Sequence, residues 1–447
     1  MIDWEATRAE VAGYLQGLIQ IDTTNPPGNE TEAARYLAGI LQIEGFTPTI
    51  VESAPGRGNL LARLPGGGEE TLMLLGHTDV VAVEPEHWTH PPFSGALVDG
   101  YVWGRGALDM KNMVAVNLMV FLLLHREGVQ LNRDIAFAAT ADEEAGKGNH
   151  GPGWILDHRP ELWDAPLIIT EGGGSDFVVG GQRFYTCQTG QKGLCRLRVI
   201  ARGTPGHGSM PHGESAILKL ARSLAGLEGA VLPAHISQSV RRFVEGIAAR
   251  RPEAEAELWR QVLDESSCDE ALLALPIDGE WRRELGAVLR NTASVTMLEA
   301  GSKINVIPGE ATAWVDGRLA PGQTQESFAA ELRAFIGDEV EIVVDQYTPP
   351  LEAGANTTLF HTIEAVMKAR EPDVPVLPYL MPAGTDAKHI VPRRPQTQIY
   401  GFMPYRQQAG TEEMKLIHGH DERTSVEELL FATQVLYEVV CRFGGVE

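Results

Sequence analysis

Apolar residues recur at helical spacing from Trp4 to Ile21 and again from Glu30 to Glu44, with the turn-rich DTTNPPGNE between them. Two helices joined by a loop are expected. Short apolar runs at Thr47–Ser53 and Asn59–Leu64, split by Pro-Gly punctuation, predict strands. Thr71–Gly76, Ile135–Ala141 and Leu167–Thr170 are continuous apolar runs, the signature of strands covered on both sheet faces. A long helical pattern, Met110–Arg126, closes at Gly128. This alternation predicts an α/β fold with a doubly wound, mixed sheet.

The texture changes after Gly190. LCRLRVIARG alternates apolar and basic positions, as on a half-exposed antiparallel strand. A helix near Ser215–Leu227 follows, then a charged helical stretch from about Pro233 to Arg290 whose leucines and alanines read as packing. Strands at Ala293–Ala300 and Ala311–Ala320, a helix at Gln325–Ile336 and a strand at Val340–Gln346 complete the segment. That order is the split βαβ pattern of a small ferredoxin-like α+β domain. From about Tyr347 the α/β alternation returns and ends on Ser425–Phe443, where Ser425 and Glu428 have capping-box spacing. The expected organisation is a first catalytic segment over 1–190, an inserted domain over 191–345 and a second catalytic segment over 346–447.

Composition narrows the function. The 447 residues exceed what one core usually accommodates. A formal net charge of −23 argues against nucleic acid or an anionic membrane as partner. Four scattered cysteines offer neither a disulfide framework nor a metal knuckle, and read as buried thiols of a reducing compartment. The N-terminal stretch has acids early and no basic n-region, so no signal peptide is expected. No apolar run reaches the ~20 residues of a membrane span. Cytoplasm is the expected compartment.

Acids and histidines gather where the apolar strands end: His77 and Asp79 in GHTDVV, Asp109 in GRGALDMKN, Glu143 and Glu144 in ADEEAG, Glu171 in LIITEGGG, and His418 in HGHDERTS. Ligands of open α/β sheets bind beyond those strand ends. Each residue has a plainer alternative: Asp109 as the cap of the following helix, the Glu143–Glu144 pair as surface acids, and His420 in place of His418. Adjacent carboxylates at the end of a buried strand nevertheless call for a cation or a shared proton.

As a set, GHTDVV, WTHPPFSG, GYVWGRGALDMKN, ADEEAG, GTPGHGSMPH, NVIPGE and HGHDERTS span nearly the whole chain in a fixed order. They resemble the di-zinc metallohydrolases that include aminoacylase, acetylornithine deacetylase, succinyl-diaminopimelate desuccinylase and glutamate carboxypeptidase. The resemblance implies two zinc ions per subunit, replaceable by cobalt: His77 and Glu171 on one, Glu144 and His418 on the other, Asp109 bridging. The resemblance selects His418 over His420, because the family's histidine precedes a glutamate by four residues, here Glu422. Glu143 would be the general base, Asp79 the partner of His77, and the peptide bond after Asp109 cis. Many relatives carry aspartate where Glu171 stands.

The inserted domain would act as lid and homodimer contact, with His207 reaching the partner's metal site to polarise the scissile carbonyl. Asn305, Arg318 and Gly384 would meet the substrate's carboxylate; arginine suits that task through its planar fork. The implied reaction is hydrolysis of an amide bond in a dipeptide, short peptide or N-acyl amino acid. A strict N-acyl amino acid deacylase, a non-catalytic binding relative and an N-carbamoyl hydrolase are the alternatives. Glycine directly before His77 disfavours the last.

Overall fold

Every residue of the helix Lys111–Arg126 from Lys111 to Leu124 is buried. A helix apolar on all sides needs cover on all sides. It lies against the strand Glu69–His77 and is enclosed by the helices Trp4–Ile19 and Val426–Phe443. Its one buried ammonium, Lys111, donates to the carbonyls of Leu18 and Ile21 at 3.0 and 2.8 Å. The lysine thereby closes the open C-terminal end of the first helix. The computed structural model describes residues 2–145, 149–407 and 413–446.

The chain forms two compact units, Met1–Thr189 with Ala353–Tyr379 and Thr385–Glu447, and Gly190–Glu352 with Leu380–Gly384. In the first, a mixed sheet runs Thr49–Glu52, Gly58–Leu64, Arg133–Thr140, Glu69–His77, Leu167–Thr170, Gln398–Gly401. Glu69–His77 is parallel to both its neighbours, so the two share one carboxyl edge with it. Gly58–Leu64 is antiparallel to Arg133–Thr140. The fold is α/β with a mixed sheet.

The second unit holds a four-stranded antiparallel sheet in the order Thr292–Ala300, Glu310–Leu319, Gly193–Arg202, Glu341–Thr348. Helices Ala216–Ala225 and Gln325–Ile336 pack on one face. On Gly193–Arg202 the apolar positions from Cys195 on are buried, while Arg196, Arg198 and Arg202 reach Asp316, Asp345 and Glu310 on the adjoining strands. The 233–290 stretch resolves into four helices, Gln238–Ala248, Glu253–Gln261, Cys268–Ala274 and Gly279–Val288. They bury Val240, Phe243, Ile247 and Trp259, which agrees with a packing role. Gly384 groups with this unit because Met381 accepts a backbone hydrogen bond from Lys192 at 2.9 Å.

Two capping expectations fail. The Lys111–Arg126 helix has Met110, not Asp109, at its N-cap. Ser425 caps the last helix by accepting from the Glu427 N–H, but Glu428 does not complete a box. Its carboxylate instead accepts from the backbone and guanidinium of Arg406. A charged hydrogen bond to a guanidinium is stronger than one to a neutral N–H.

Candidate metal centre

His77 ends its strand almost fully buried. Its Nδ1 lies 3.0 Å from the carbonyl oxygen of Asp79. A carbonyl only accepts, so Nδ1 carries the proton and Nε2 turns a lone pair into the site. That lone pair faces Asp109 Oδ1 at 3.1 Å and Glu171 Oε2 at 3.7 Å. Lone pair against carboxylate is repulsive unless a proton or a cation lies between them.

Asp109 stands in a loop gripped from below. Glu422, fully buried, accepts from Arg105 at 2.6 Å and from the backbone N–H groups of Gly106, Leu108 and Asp109 at 3.2, 2.6 and 3.1 Å. The Asp109–Met110 peptide is cis. The aspartate's other oxygen, Oδ2, lies 3.2 Å from His418 Nε2, which also sits 3.1 Å from Glu144 Oε1. His420 turns away to Glu84 at 2.9 Å.

The Glu143–Glu144 turn is held through Asp79. Its carboxylate accepts from the N–H groups of both glutamates at 3.1 Å and from Asn25 Nδ2 at 2.8 Å. The same Asn25 amide reaches Asp142 Oδ1 at 2.9 Å, and Arg57 meets that oxygen at 2.9 Å. Asp142 adopts φ +70°, a left-handed conformation that costs a non-glycine residue about 1 kcal/mol and needs such anchors. Asp79 therefore supports His77 through its carbonyl; its carboxylate stands 3.5 Å from Nδ1 and serves mainly the glutamate turn.

Ligand atoms of His77, Asp109 and Glu144 lie within 4.8 Å of one another, as do those of His77, Glu143 and Glu171. Four carboxylates and two imidazoles thus crowd one strand edge. Burial pushes the Glu171 carboxyl up to about 8, helped by Asp109 and Glu143, although His77 opposes. Hydrogen bonds donated to Asp109 and then to Glu144 raise His418 to about 10. Burial works against a charged His77, but Glu171, Asp109 and Asp79 outweigh it and hold its pKa well above the ordinary value. Excess buried negative charge is what divalent cations neutralise, and an N/O donor set of this kind fits zinc.

His207 and Asn305 come together in the second unit on a two-strand ribbon, where His207 pairs with Val306. His207 Nδ1 accepts from the Ser209 N–H at 3.2 Å, which leaves the proton on Nε2. Arg318 lies not on that ribbon but on the four-stranded sheet, paired with Leu194 and bonded to Asp316 at 2.8 Å. Eight residue steps along the strand separate it from Glu310, about 26 Å at a rise of about 3.3 Å per residue.

Three polar residues of this centre escaped the sequence reading. Asn25, Asp142 and Lys388 sit in NPPGN, ADEE and TDAKH, and only the adjacency of the last two to acidic motifs hinted at them.

Fold and donor set together define a candidate metallohydrolase. The profile of peptidase family M20/M25/M40 matches residues 73–442, and the chain belongs to that family. It is 29% identical to the N-fatty-acyl-amino acid synthase/hydrolase PM20D1 of Xenopus tropicalis over 98% of this chain and 86% of the relative. Its fold is similar to that of an M20 family metallo-carboxypeptidase from Sulfolobus solfataricus (TM-score 0.69, 18% identity, 99% of this chain and 100% of that one). It is also similar to that of the Bacillus subtilis YXEP protein, described as a dinuclear metal binding peptidase from the M20 family (TM-score 0.61, 14% identity, 99% and 100%). The chain is a hydrolase of the peptidase and aminoacylase type. No helix among the described residues is long and apolar enough to cross a membrane.

Proposed function

We propose that this protein is a zinc-dependent amidohydrolase acting on N-acyl amino acids or short peptides with a free carboxylate. The observation that carries the reading is the Asp109 carboxylate, which offers one oxygen to His77 at 3.1 Å and the other to His418 at 3.2 Å. A carboxylate so divided is placed to bridge two cations. His77 and Glu171 would hold one, Glu144 and His418 the other. When bound, the metals supply a Lewis-acidic centre that acidifies water and polarises the amide carbonyl.

The chain's own groups do the rest. Glu143 serves as general base: it takes the proton of the attacking water and passes it to the leaving nitrogen. Its Oε1 stands 2.5 Å from the Lys388 ammonium, a poor place for a second cation, which favours the base role over ligation. His207 Nε2–H is the oxyanion donor. Arg318 stands about 26 Å along its strand from Glu310, the end whose neighbour Gly309 bonds Gly203 just before that ribbon, which sets the arginine and the histidine apart on one copy. This supports a homodimer in which the Gly190–Glu352 unit is lid and contact, and His207 with Asn305 serves the partner's centre while Arg318 and the Gly384 backbone take the substrate carboxylate. The four cysteines, all free and buried, suit the cytoplasm.

The decisive experiment is an activity screen of zinc- and cobalt-loaded protein over N-acyl amino acids and dipeptides. Hydrolysis of N-acyl amino acids alone makes it a deacylase, and of dipeptides alone a peptidase. Loaded protein inert toward both refutes the assignment.

A further inference from the structure

Lys388 opens the short helix Ala387–Ile390 and extends its ammonium to Glu143 at two points, Oε1 at 2.5 Å and the backbone carbonyl at 3.0 Å. The lysine therefore grips the backbone and the far end of the same side chain, closing a ring around it. Both partners are largely buried, Glu143 with 10% and Lys388 with 20% of its side chain exposed. Beneath them the carboxylate of Asp386, 3% exposed, accepts from Thr140 Oγ1 at 3.0 Å, and Thr140 ends the strand that leads into Glu143. Its second oxygen, Oδ1, finds no hydrogen-bond partner among the described residues. Asp386 thus places a carboxyl group near the lysine without competing for the same contact.

A glutamate has three rotatable bonds, and a base must be held within a fraction of an ångström of the proton it removes. Nothing on the Asp79 side fixes the Glu143 carboxylate, since Asp79 binds only its N–H. We propose that Lys388 is the positioning residue of this reaction, locking the Glu143 carboxylate at the ligand cluster, with the buried Asp386 carboxyl beside it. The role rests on the reading of Glu143 as general base. The ammonium also keeps the carboxylate from drifting onto a cation as an additional ligand.

The test compares Lys388→Met and Lys388→Arg with the wild type on zinc-loaded protein, using the amide that the activity screen finds best. Lys388→Met is expected to lower kcat at least about tenfold, to leave KM within about threefold and to bind zinc with unchanged stoichiometry by calorimetry. Lys388→Arg should recover a large part of kcat. A second measurement needs neither metal nor substrate: the thermal unfolding of metal-free wild type, Lys388→Met, Glu143→Gln and the double variant. Loss of the lysine should depress Tm much more with Glu143 present than with glutamine in its place. Additive Tm shifts would show no functional contact and overturn the proposal. So would unchanged kcat in Lys388→Met, or a kcat loss that merely follows zinc loss. A wild type inert toward every amide would instead remove the hydrolase reading itself, which the metal-free unfolding cycle does not depend on.

Discussion

At residue scale the centre works by assigning different neighbours to chemically similar carboxylates. Asp79 accepts three N–H donors and a histidine lies close by, so although burial opposes it, His77 and Asn25 hold its pKa down at about 2. Glu171, at the end of the adjoining strand and without such donors, is pushed the other way by burial, to about 8. Glu143 alone meets an ammonium. If that glutamate is the base, Glu143→Ala should retain two zinc ions and lose roughly 10²–10⁴-fold in kcat. Metal analysis beside steady-state kinetics checks it, and near-normal turnover would remove Glu143 from the role. The ligand candidates were legible because their residue types are out of place at the ends of apolar strands. Lys388 was not, since a lysine in TDAKH looks solvated until the chain folds it onto a carboxylate 245 positions earlier.

At the scale of elements, loops position the centre and buried ions position the loops. The glycine-rich GRGALD segment has few side chains with which to hold itself. Glu422 supplies the missing contacts with three backbone N–H groups and Arg105. Glu422→Ala would leave the Arg105 guanidinium, 2% exposed, without its anion, at a cost of roughly 3–5 kcal/mol. Chemical denaturation should show that loss together with weakened zinc binding. Unaltered stability with normal metal affinity would mean that the loop holds itself. The same segment marks the limit of pattern reading. Strands and long helices follow from periodicity, whereas the Asp109 cap and the Glu428 capping box were expected from local spacing. Both gave way to distant partners, the two histidines and Arg406. The small sheet of Ala96–Val98, Tyr101–Trp103 and Arg423–Ser425 joins segments over 300 residues apart, and no short-range signal announces such a pairing.

At the scale of the whole molecule, two expectations follow from the proposed assembly and from the charge of the centre. If His207 acts across a dimer, His207→Ala and Asp109→Ala, each inactive, should regain activity when mixed and allowed to exchange subunits. One hybrid site then has an intact metal centre and an intact histidine. Proven exchange without recovery would place His207 elsewhere. The centre's protons give the second expectation. In metal-free protein His418 is raised from 6.5 to about 10 and Glu171 from 4.5 to about 8, the first by Asp109 and Glu144, the second chiefly by burial. Both groups bind protons more tightly folded than unfolded, so the stability they contribute is complete at low pH and is lost as pH rises through their folded pKa values. Asp79, held near 2, has the opposite sign but acts only below about pH 4. Metal-free Tm should therefore fall between about pH 5 and pH 7; above that Lys111 and Lys192, both pushed down by burial to about 7, act with the opposite sign. Zinc must displace those same protons to bind, so its affinity should climb over that interval and the loaded protein should keep its Tm. Scanning calorimetry of chelator-treated and zinc-loaded samples across the range checks both curves. A metal-free Tm that stays level or rises would mean that the four carboxylates are not crowded in the way that calls for two cations.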